Sequence, residues 1–417
     1  MDSVPGAIVT RRSMLRIVML GASAALASAC APATAPPPPT TAPAAPTAAP
    51  ANPTAAPAAA APTSAPAVAK TAAAPVFSDA DWNALIAAAR QEGKFLIGTY
   101  AGTGYRKVVD AFQETFSGIS VEQTQFQSSS RDFEPRLLQE MKAGIKSWDV
   151  FLMPPQEQLR QTRPAGGLDP IRPLIVRPDV LSDDAWIDGF EAGFPDVEKR
   201  WGYGITLSKS QALWINTDLV KQGEITRVQD LLDPRWKGQI IAADPRTKGS
   251  GFSPAMVMRL KLHDDDIIRK LYKDQEAVLT TDARQPTEAM ARGKYALALG
   301  AVDIHILDDL RSQGLGNNVQ PVSLNDLEYV SWSFNAMFVT KDPPHPNAAK
   351  LFVNWALTRD AGVLWAQNLI DNSRRADVPV QDPATEVKRG QTFINIEHED
   401  MLEETEKTQN IAKDVLN

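Results

Sequence analysis

An α/β architecture in two lobes, with mainly parallel sheets flanked by helices, is the fold class that this sequence predicts. Helical and strand patterns alternate from residue 77 onward, which favours a parallel sheet covered by helices on both faces. A second series of the same kind begins near residue 203 and indicates a second lobe. Two strand-rich stretches, residues 203–216 and 328–340, are expected to carry the chain between the lobes.

The first lobe begins with a helix over residues 79–92. Ser78 is a good N-cap, an acid follows three residues later, and Gly93 ends the helix. Apolar residues then recur at strand or helix spacing in five further segments. These are strands at 95–100, 119–126 and 148–153 and helices at 105–116 and 133–141.

The second series alternates in the same way. Ser253 and Pro254 predict a helix start, with Ser as the N-cap and Pro at the first helical position. Gln285-Pro286 predicts another start, and Gly293 an end. We therefore assign residues 77–202 and 328–417, including the C-terminal helices, to the first lobe and residues 203–327 to the second.

The first 29 residues are typical of an export signal. Arg11-Arg12 precede an apolar run over residues 17–27, and the pair resembles a twin-arginine signal, although any basic n-region could hold two arginines. Residues 26–30, Leu-Ala-Ser-Ala-Cys, resemble a bacterial lipoprotein cleavage box, so Cys30 is the expected lipidation site. The alternative is a buried structural cysteine, but nothing around Cys30 could bury it.

Residues 31–76 predict a disordered linker that follows the lipidated cysteine. They include 21 alanines and 13 prolines, which offer little apolar area against the entropy of ordering. Such a tether, at residues 30–76, would hold the remaining chain near a membrane and leave it free to move.

Composition excludes several classes of protein. The chain has 43 basic and 50 acidic groups, a net charge of −7, which argues against a nucleic-acid partner. One cysteine excludes a disulfide framework, and no apolar run reaches the length of a membrane span. Common hydrolase, zinc-protease and phosphate-loop motifs are missing from the sequence, so we predict no catalytic residue, no cofactor and no metal.

Four loops that follow strands are candidates for ligand contact, because open α/β sheets bind ligands at such loops and at helix N-termini. They carry glycines, hydroxyls and basic groups, although each could be a plain loop. His305 could equally be a surface or core histidine, and Trp332 a core residue. The candidate ligand-binding residues are Thr103, Tyr105, Ser129, Arg131, Gly249, Ser250, Gly251, Arg284, His305 and Trp332.

Five segments, in this order and spacing, resemble the extracytoplasmic solute-binding proteins of bacterial ATP-binding-cassette (ABC) importers. The closest group holds ferric-iron, thiamine and phosphonate binders. The resemblance implies a two-lobed periplasmic-binding-protein-like fold of type II with a ligand cleft at the hinge. It also implies a small-molecule ligand, an ABC permease and ATPase as partners, and an extracytoplasmic location. The segments are residues 214–220, 230–240, 249–251, 291–297 and 345–352.

Iron binders in this group use adjacent tyrosines in the second lobe, and the six tyrosines here include no adjacent pair. The resemblance therefore favours a small anionic or polar organic solute, bound by a lipid-anchored monomer. Three alternatives stay open at this point. They are ferric iron held by atypical ligands, a binding protein that feeds a sensory receptor, and a lipid-anchored hydrolase.

Overall fold

The computed structural model describes residues 77–417, except positions 248, 283, 333 and 334 and the side chains of residues 130 and 131. The predicted signal peptide, Cys30 and the linker therefore lie outside the described residues, as do Lys248 and the side chain of Arg131. Within the described part, no helix is both long and apolar enough to cross a bilayer.

Strands and helices alternate as the sequence predicts. The strands are β1 Lys94–Tyr100, β2 Ser120–Phe126, β3 Val150–Met153, β4 Leu168–Asp169, β5 Gly202–Gly204, β6 Ser208–Lys209, β7 Leu213–Asn216, β8 Ile240–Ala243, β9 Val278–Thr280, β10 Leu297–Leu299, β11 Val319–Val322, β12 Tyr329–Ser331, β13 Ala336–Thr340 and β14 Ile394–Asn395. The helices are α1 Asp79–Glu92, α2 Thr103–Thr115, α3 Glu134–Lys142, α4 Pro155–Glu157, α5 Pro178–Leu181, α6 Phe252–Leu262, α7 Arg284–Ala291, α8 Ile304–Ser312, α9 Pro346–Ala356, α10 Arg359–Leu369 and α11 Leu402–Leu416.

The first helix confirms its sequence signals. Ser78 caps α1 in a reciprocal capping box with Asp81, and Gly93 ends the helix in the left-handed conformation. Helix α1 packs on α9, and α2 packs on α10. Together they cover one face of the first sheet with a core in which Phe95 stacks on Phe352, with ring centroids 4.7 Å apart.

The two large sheets are mixed, which corrects the prediction that they are mainly parallel. In the first sheet, with strand order β2-β1-β3-β13-β4, only the β2-β1-β3 pairs are parallel, and β5 also pairs with β13. In the second sheet, with order β11-β7-β10-β8-β9, only β10-β8-β9 is parallel. The strands that run against their neighbours are β13 in the first sheet and β7 in the second, because each enters its sheet from the other lobe.

The two predicted crossings are confirmed. The chain leaves the first sheet after β5, passes through β6 and enters the second sheet at β7. It returns from β11 through β12 to β13. Strands β6, β12 and β14 form a small third sheet between the two large ones. The predicted long strand 328–340 is broken, since Trp332 and Asn335 turn to bond Thr206 on the other crossing.

The last helix does not belong to the first lobe, which corrects the predicted assignment of residues 328–417. Helix α11 packs against α6, and Ala412 lies in the apolar core of the second lobe. Arg259 of α6, almost fully buried, binds the Thr408 hydroxyl at 3.0 Å and ion-pairs with Glu404. The pattern of α11 showed that it is amphipathic, but not which lobe would bury its apolar face.

Candidate functional site

A cleft of about 340 Å³ lies between the two large sheets. Parallel strands β1, β2 and β3 end at the same edge of the first sheet, so the residues that follow them meet on one side of the cleft. This first-lobe wall consists of Tyr100, Gln127, Ser128, Ser129, Pro154, Gln156 and Glu157. The second-lobe wall consists of Gly249, Phe252, Ser253 and Met256, and the C-terminal segment, residues 394–417, adds Ile396 and Glu397.

Hydrogen bonds fix the first-lobe wall. The Ser129 backbone N–H donates to the Tyr100 hydroxyl at 3.2 Å, and the Ser129 hydroxyl accepts from the Gln158 amide at 3.1 Å. The Asp132 carboxylate accepts from the backbone N–H groups of Gln127 and Ser128, each at 2.9 Å. Burial raises the pKa of the Tyr100 hydroxyl, so this group stays protonated. These hydrogen bonds hold the loops of the first-lobe wall in one arrangement.

Glu397 is a buried carboxylate in the cleft, only 8% exposed. Strand β14 pairs with β12 and brings Glu397 beside Trp332, whose backbone N–H donates to Glu397 Oε2 at 2.8 Å. Burial raises the pKa of Glu397 to about 7. The negative charges of Glu157 and Asp371 raise it further, while the hydrogen bonds from Trp332 and Ser331 oppose the shift.

The second-lobe wall is built on a tightly packed glycine loop. A Cβ at Gly251 would lie 2.4 Å from the Ala243 carbonyl oxygen, and Gly249 has a φ of 129° that favours glycine. A Cβ at Gly300 would lie 2.0 Å from the Ser250 carbonyl oxygen. Gly251 and Gly300 therefore serve close packing of the loop on the second sheet, whereas Gly249 is required for its backbone conformation.

Helix α6 begins at the cleft, but its first donors are already used. The N–H groups of Phe252 and Ser253 both donate to the Gly249 carbonyl, at 3.1 and 3.2 Å. Pro254 has no N–H, and it occupies the third helical position instead of the predicted first, because the helix begins at Phe252. These two N–H groups at the helix start are therefore not free to bind an anion, contrary to what the sequence had suggested.

Two of the predicted ligand residues, Ser129 and Gly249, line the cleft. Tyr105 is buried in the core of the first lobe instead, and its hydroxyl donates to the Asn335 side chain at 2.7 Å. Trp332 is 1% exposed and packs in a separate apolar cluster with Val330 and Val387.

The other predicted residues lie away from the cleft lining. Thr103 is exposed at the first position of α2. Arg284 is an exposed side chain that pairs with Glu288 one helical turn later. His305 is exposed in the first turn of α8, which Asp303 caps. Ser250 and Gly251 belong to the loop that packs on the second sheet, and the Arg131 side chain is outside the described residues.

Sequence reasoning missed several lining residues. Tyr100 could have been chosen, because it is the last residue of a buried strand and the loop that it begins was already a candidate. Glu157 follows β3 in the same way. Glu397 carries no such signal, since it lies in an irregular segment that reaches the cleft only through the pairing of β14 with β12.

Of the six tyrosines, only Tyr100 lies in the cleft lining. Tyr295, just before β10 of the second lobe, and Tyr329, in β12 of the returning crossing, are buried in apolar clusters. Among the described residues, no group of three or more His, Cys, Asp or Glu side chains is placed to hold a metal ion.

Comparison with known proteins shows what this architecture resembles. A family model for bacterial extracellular solute-binding proteins matches residues 98–363. Iron-bound HitA from Pseudomonas aeruginosa shares the fold with a TM-score of 0.55 and 17% identity, covering 78% of this chain and 99% of that one. An ABC transporter structure from Clostridium perfringens gives a TM-score of 0.59 and 16% identity, covering 78% and 100%.

One further solved structure has the same fold, and one curated protein matches only part of the sequence. FutA (IdiA) from Trichodesmium, in complex with iron and citrate, gives a TM-score of 0.59 at 15% identity, covering 78% of this chain and 99% of that one. An uncharacterized protein of Haemophilus influenzae is 26% identical over 163 residues, which span 37% of this chain and 44% of that protein. The structural likenesses establish a type II periplasmic-binding-protein fold.

Proposed function

The chain belongs to the bacterial extracellular solute-binding proteins, and from that premise we propose that it captures a small polar solute in the cleft and delivers it unchanged to a membrane permease. The observation that carries the proposal is the cleft itself, whose walls come from both lobes and from the C-terminal segment. A solute that contacts both walls is bound more tightly when the lobes close. Binding therefore shifts the protein toward the closed form.

The described cleft lining contains Glu157 and Glu397, and the first two N–H groups of α6 already donate to the Gly249 carbonyl. A polar solute that donates hydrogen bonds fits the first-lobe wall better. Micromolar affinity corresponds to about 8 kcal/mol. A few charge-assisted hydrogen bonds of about 1.5–3 kcal/mol each, with apolar cover, are sufficient for it.

Anchoring completes the proposal. A lipid on Cys30, followed by the linker of residues 30–76, would keep the lobes near the permease outside the membrane and let them exchange between solution and docking site. Metabolic labelling with a fatty-acid analogue tests this part. The full chain should take up label and fractionate with membranes, and C30S should lose both; a C30S protein that keeps the label would contradict lipidation at Cys30.

Solute capture is tested by thermal-shift screening of the purified chain, with organic cations, organic anions, neutral sugars and ferric citrate as classes. Binding should raise the melting temperature, and mass spectrometry after release should recover the solute unchanged. A chemically converted solute would support the hydrolase alternative. Stabilisation by ferric citrate alone would support iron transport, which the proteins of similar fold from Pseudomonas and Trichodesmium suggest.

A further inference from the structure

We propose that the first lobe holds a second binding site, for an uncharged single-ring compound that carries an oxygen acceptor, in a cavity lined by Trp148. The cavity has a volume of about 180 Å³. Its lining comes from helix α3, from the loop of residues 144–148 that leads into β3, from residues 166–167 before β4, and from the end of β13.

The cavity lies at the opposite edge of the first sheet from the cleft. The parallel strands β1, β2 and β3 end at the cleft, whereas Trp148 precedes the start of β3 and Thr340 is the last residue of the antiparallel strand β13. As far as the chain is described, the cavity and the cleft have no lining residue in common. The inference therefore goes beyond solute capture and does not depend on it.

A buried donor without an acceptor is the observation that points to a ligand. Trp148 is 1% exposed, and its indole N–H has no acceptor among the described residues. The Thr340 hydroxyl donates instead to the Trp148 carbonyl oxygen, at 2.5 Å. By contrast, the equally buried Trp365 of the same lobe donates its indole N–H to the Ala356 carbonyl at 3.2 Å. Because an unsatisfied buried donor destabilises a fold, an oxygen supplied from the cavity would be bound favourably.

The size and lining of the cavity favour a single ring. Helix α3 contributes Leu137 and Met141, and the loop before β3 contributes Ile145, a large apolar side chain that is 55% exposed. Apolar cavities of about 150 Å³ take up benzene, so a volume of about 180 Å³ accommodates one six-membered ring with a small substituent. The ring would contact the apolar side chains, and its oxygen would accept from Trp148.

The charged groups of the lining favour a ligand without charge. They are Lys146, Lys341 and Asp342, and they pair with one another and with Asp169. Lys341 lies 2.9 Å from the Asp169 carboxylate and 3.1 Å from that of Asp342. Lys146 donates to the Asp342 carbonyl oxygen at 2.8 Å. Two lysines and two aspartates therefore balance, and a charged ligand would lose its hydration without gaining an unpaired partner.

The experiment compares tetrahydropyran with cyclohexane, two rings of the same size that differ in one ether oxygen. The native full chain, with ¹⁵N-labelled indole groups in its nine tryptophans, is titrated with each compound and followed by nuclear magnetic resonance. Both compounds should bind. Tetrahydropyran should move one indole N–H signal downfield, as a new hydrogen bond does, and cyclohexane should not.

Two variants assign the effect to Trp148. W148F removes the indole N–H, so the signal that tetrahydropyran moves should be absent. The affinity for tetrahydropyran relative to cyclohexane should then fall about two- to tenfold, the factor that corresponds to one neutral hydrogen bond. W365F, the same change at an equally buried position of the first lobe, should leave that ratio unchanged. The titration of the native chain is informative even if W148F does not fold.

Each other outcome overturns the inference. If neither compound binds, the cavity is no ligand site and water serves the indole N–H. If both bind without moving an indole signal, or if W148F keeps the native affinity ratio, Trp148 is not the donor. Solute capture fails separately, because it is measured with solutes of the cleft, which has a different set of lining residues.

Discussion

The two walls of the cleft differ in what they offer a solute. The first-lobe wall and the C-terminal segment carry the carboxylates Glu157 and Glu397 and the fixed hydroxyls of Tyr100 and Ser129. The second-lobe wall offers a glycine loop, an aromatic ring and a thioether. Under the proposed function, we expect the first-lobe wall to make most of the polar contacts with a solute and the second-lobe wall to cover it.

The largest expected effect is the cost of keeping Glu397 buried. A carboxyl whose pKa rises from 4.5 to about 7 on folding stabilises the fold fully below pH 4.5 and loses that contribution as pH rises through 7. Between pH 5 and pH 8 the free energy of unfolding of the solute-free protein should fall by about 2–3 kcal/mol from this group alone. Urea titrations of the native chain and E397Q measure the difference.

E397Q should flatten this part of the profile, whereas E406Q, on the exposed side of α11, should follow the native curve. Equal pH profiles of stability for the native chain and E397Q would contradict a raised pKa of Glu397.

The second prediction concerns the packing of the second-lobe wall. G251A places a methyl group 2.4 Å from the Ala243 carbonyl oxygen, so the loop must move away from the sheet. We expect a loss of about 1–3 kcal/mol of stability and weaker solute binding. G102A is the matched control, since its methyl group would meet its nearest neighbour at 3.6 Å. Denaturant midpoints compare the two, and equal midpoints would contradict the close packing.

A third prediction tests how the C-terminal segment is held. Thr408 Oγ1 accepts from Arg259 Nε and donates to the Glu404 carbonyl. T408V should cost about 1–2 kcal/mol of stability, because a buried guanidinium N–H loses its acceptor. T408S keeps the hydroxyl and should lose less. If both variants melt together, the loss is one of packing rather than of the hydrogen bond.

The smallest effect is expected for Phe252, which lines the second-lobe wall of the cleft. F252L keeps an apolar side chain and removes the ring face, so the affinity for a solute found by the thermal-shift screen should fall by about 0.5–1 kcal/mol. Calorimetry on the native chain and on F252L measures the difference. Loss of all binding in F252L would contradict a role limited to covering the solute.

The comparison also shows how far the sequence reaches. Strand ends and their loops led to Ser129 and Gly249, because the carboxyl ends of parallel strands meet at one edge whatever the rest of the chain does. Arg284 and His305 also follow strands of the second sheet, but they are exposed and do not line this cleft. A loop position alone does not tell which side of a sheet a residue faces.

Some of the remaining features follow from local sequence signals, and others depend on contacts between distant residues. The capping box at Ser78 and the glycine at Gly93 determined α1 without help, since both act on backbone groups within one turn. The strand patterns and the resemblance of short segments were sufficient to predict the two-lobed fold and its crossings. The break in residues 328–340 was not visible in the sequence, because it depends on Thr206, more than 120 residues away along the chain, bonding Trp332 and Asn335.

The sequence by itself determined the helices, the strands and the order in which they form two lobes, because these follow from periodicity and capping within a few residues. Only the tertiary structure decided that Glu397 lies in the cleft, that α11 packs on the second lobe, and that the first two N–H groups of α6 are already occupied. The raised pKa of Glu397 depends on those long-range contacts, since burial and neighbouring acids, not the identity of one residue, set how a carboxyl group behaves.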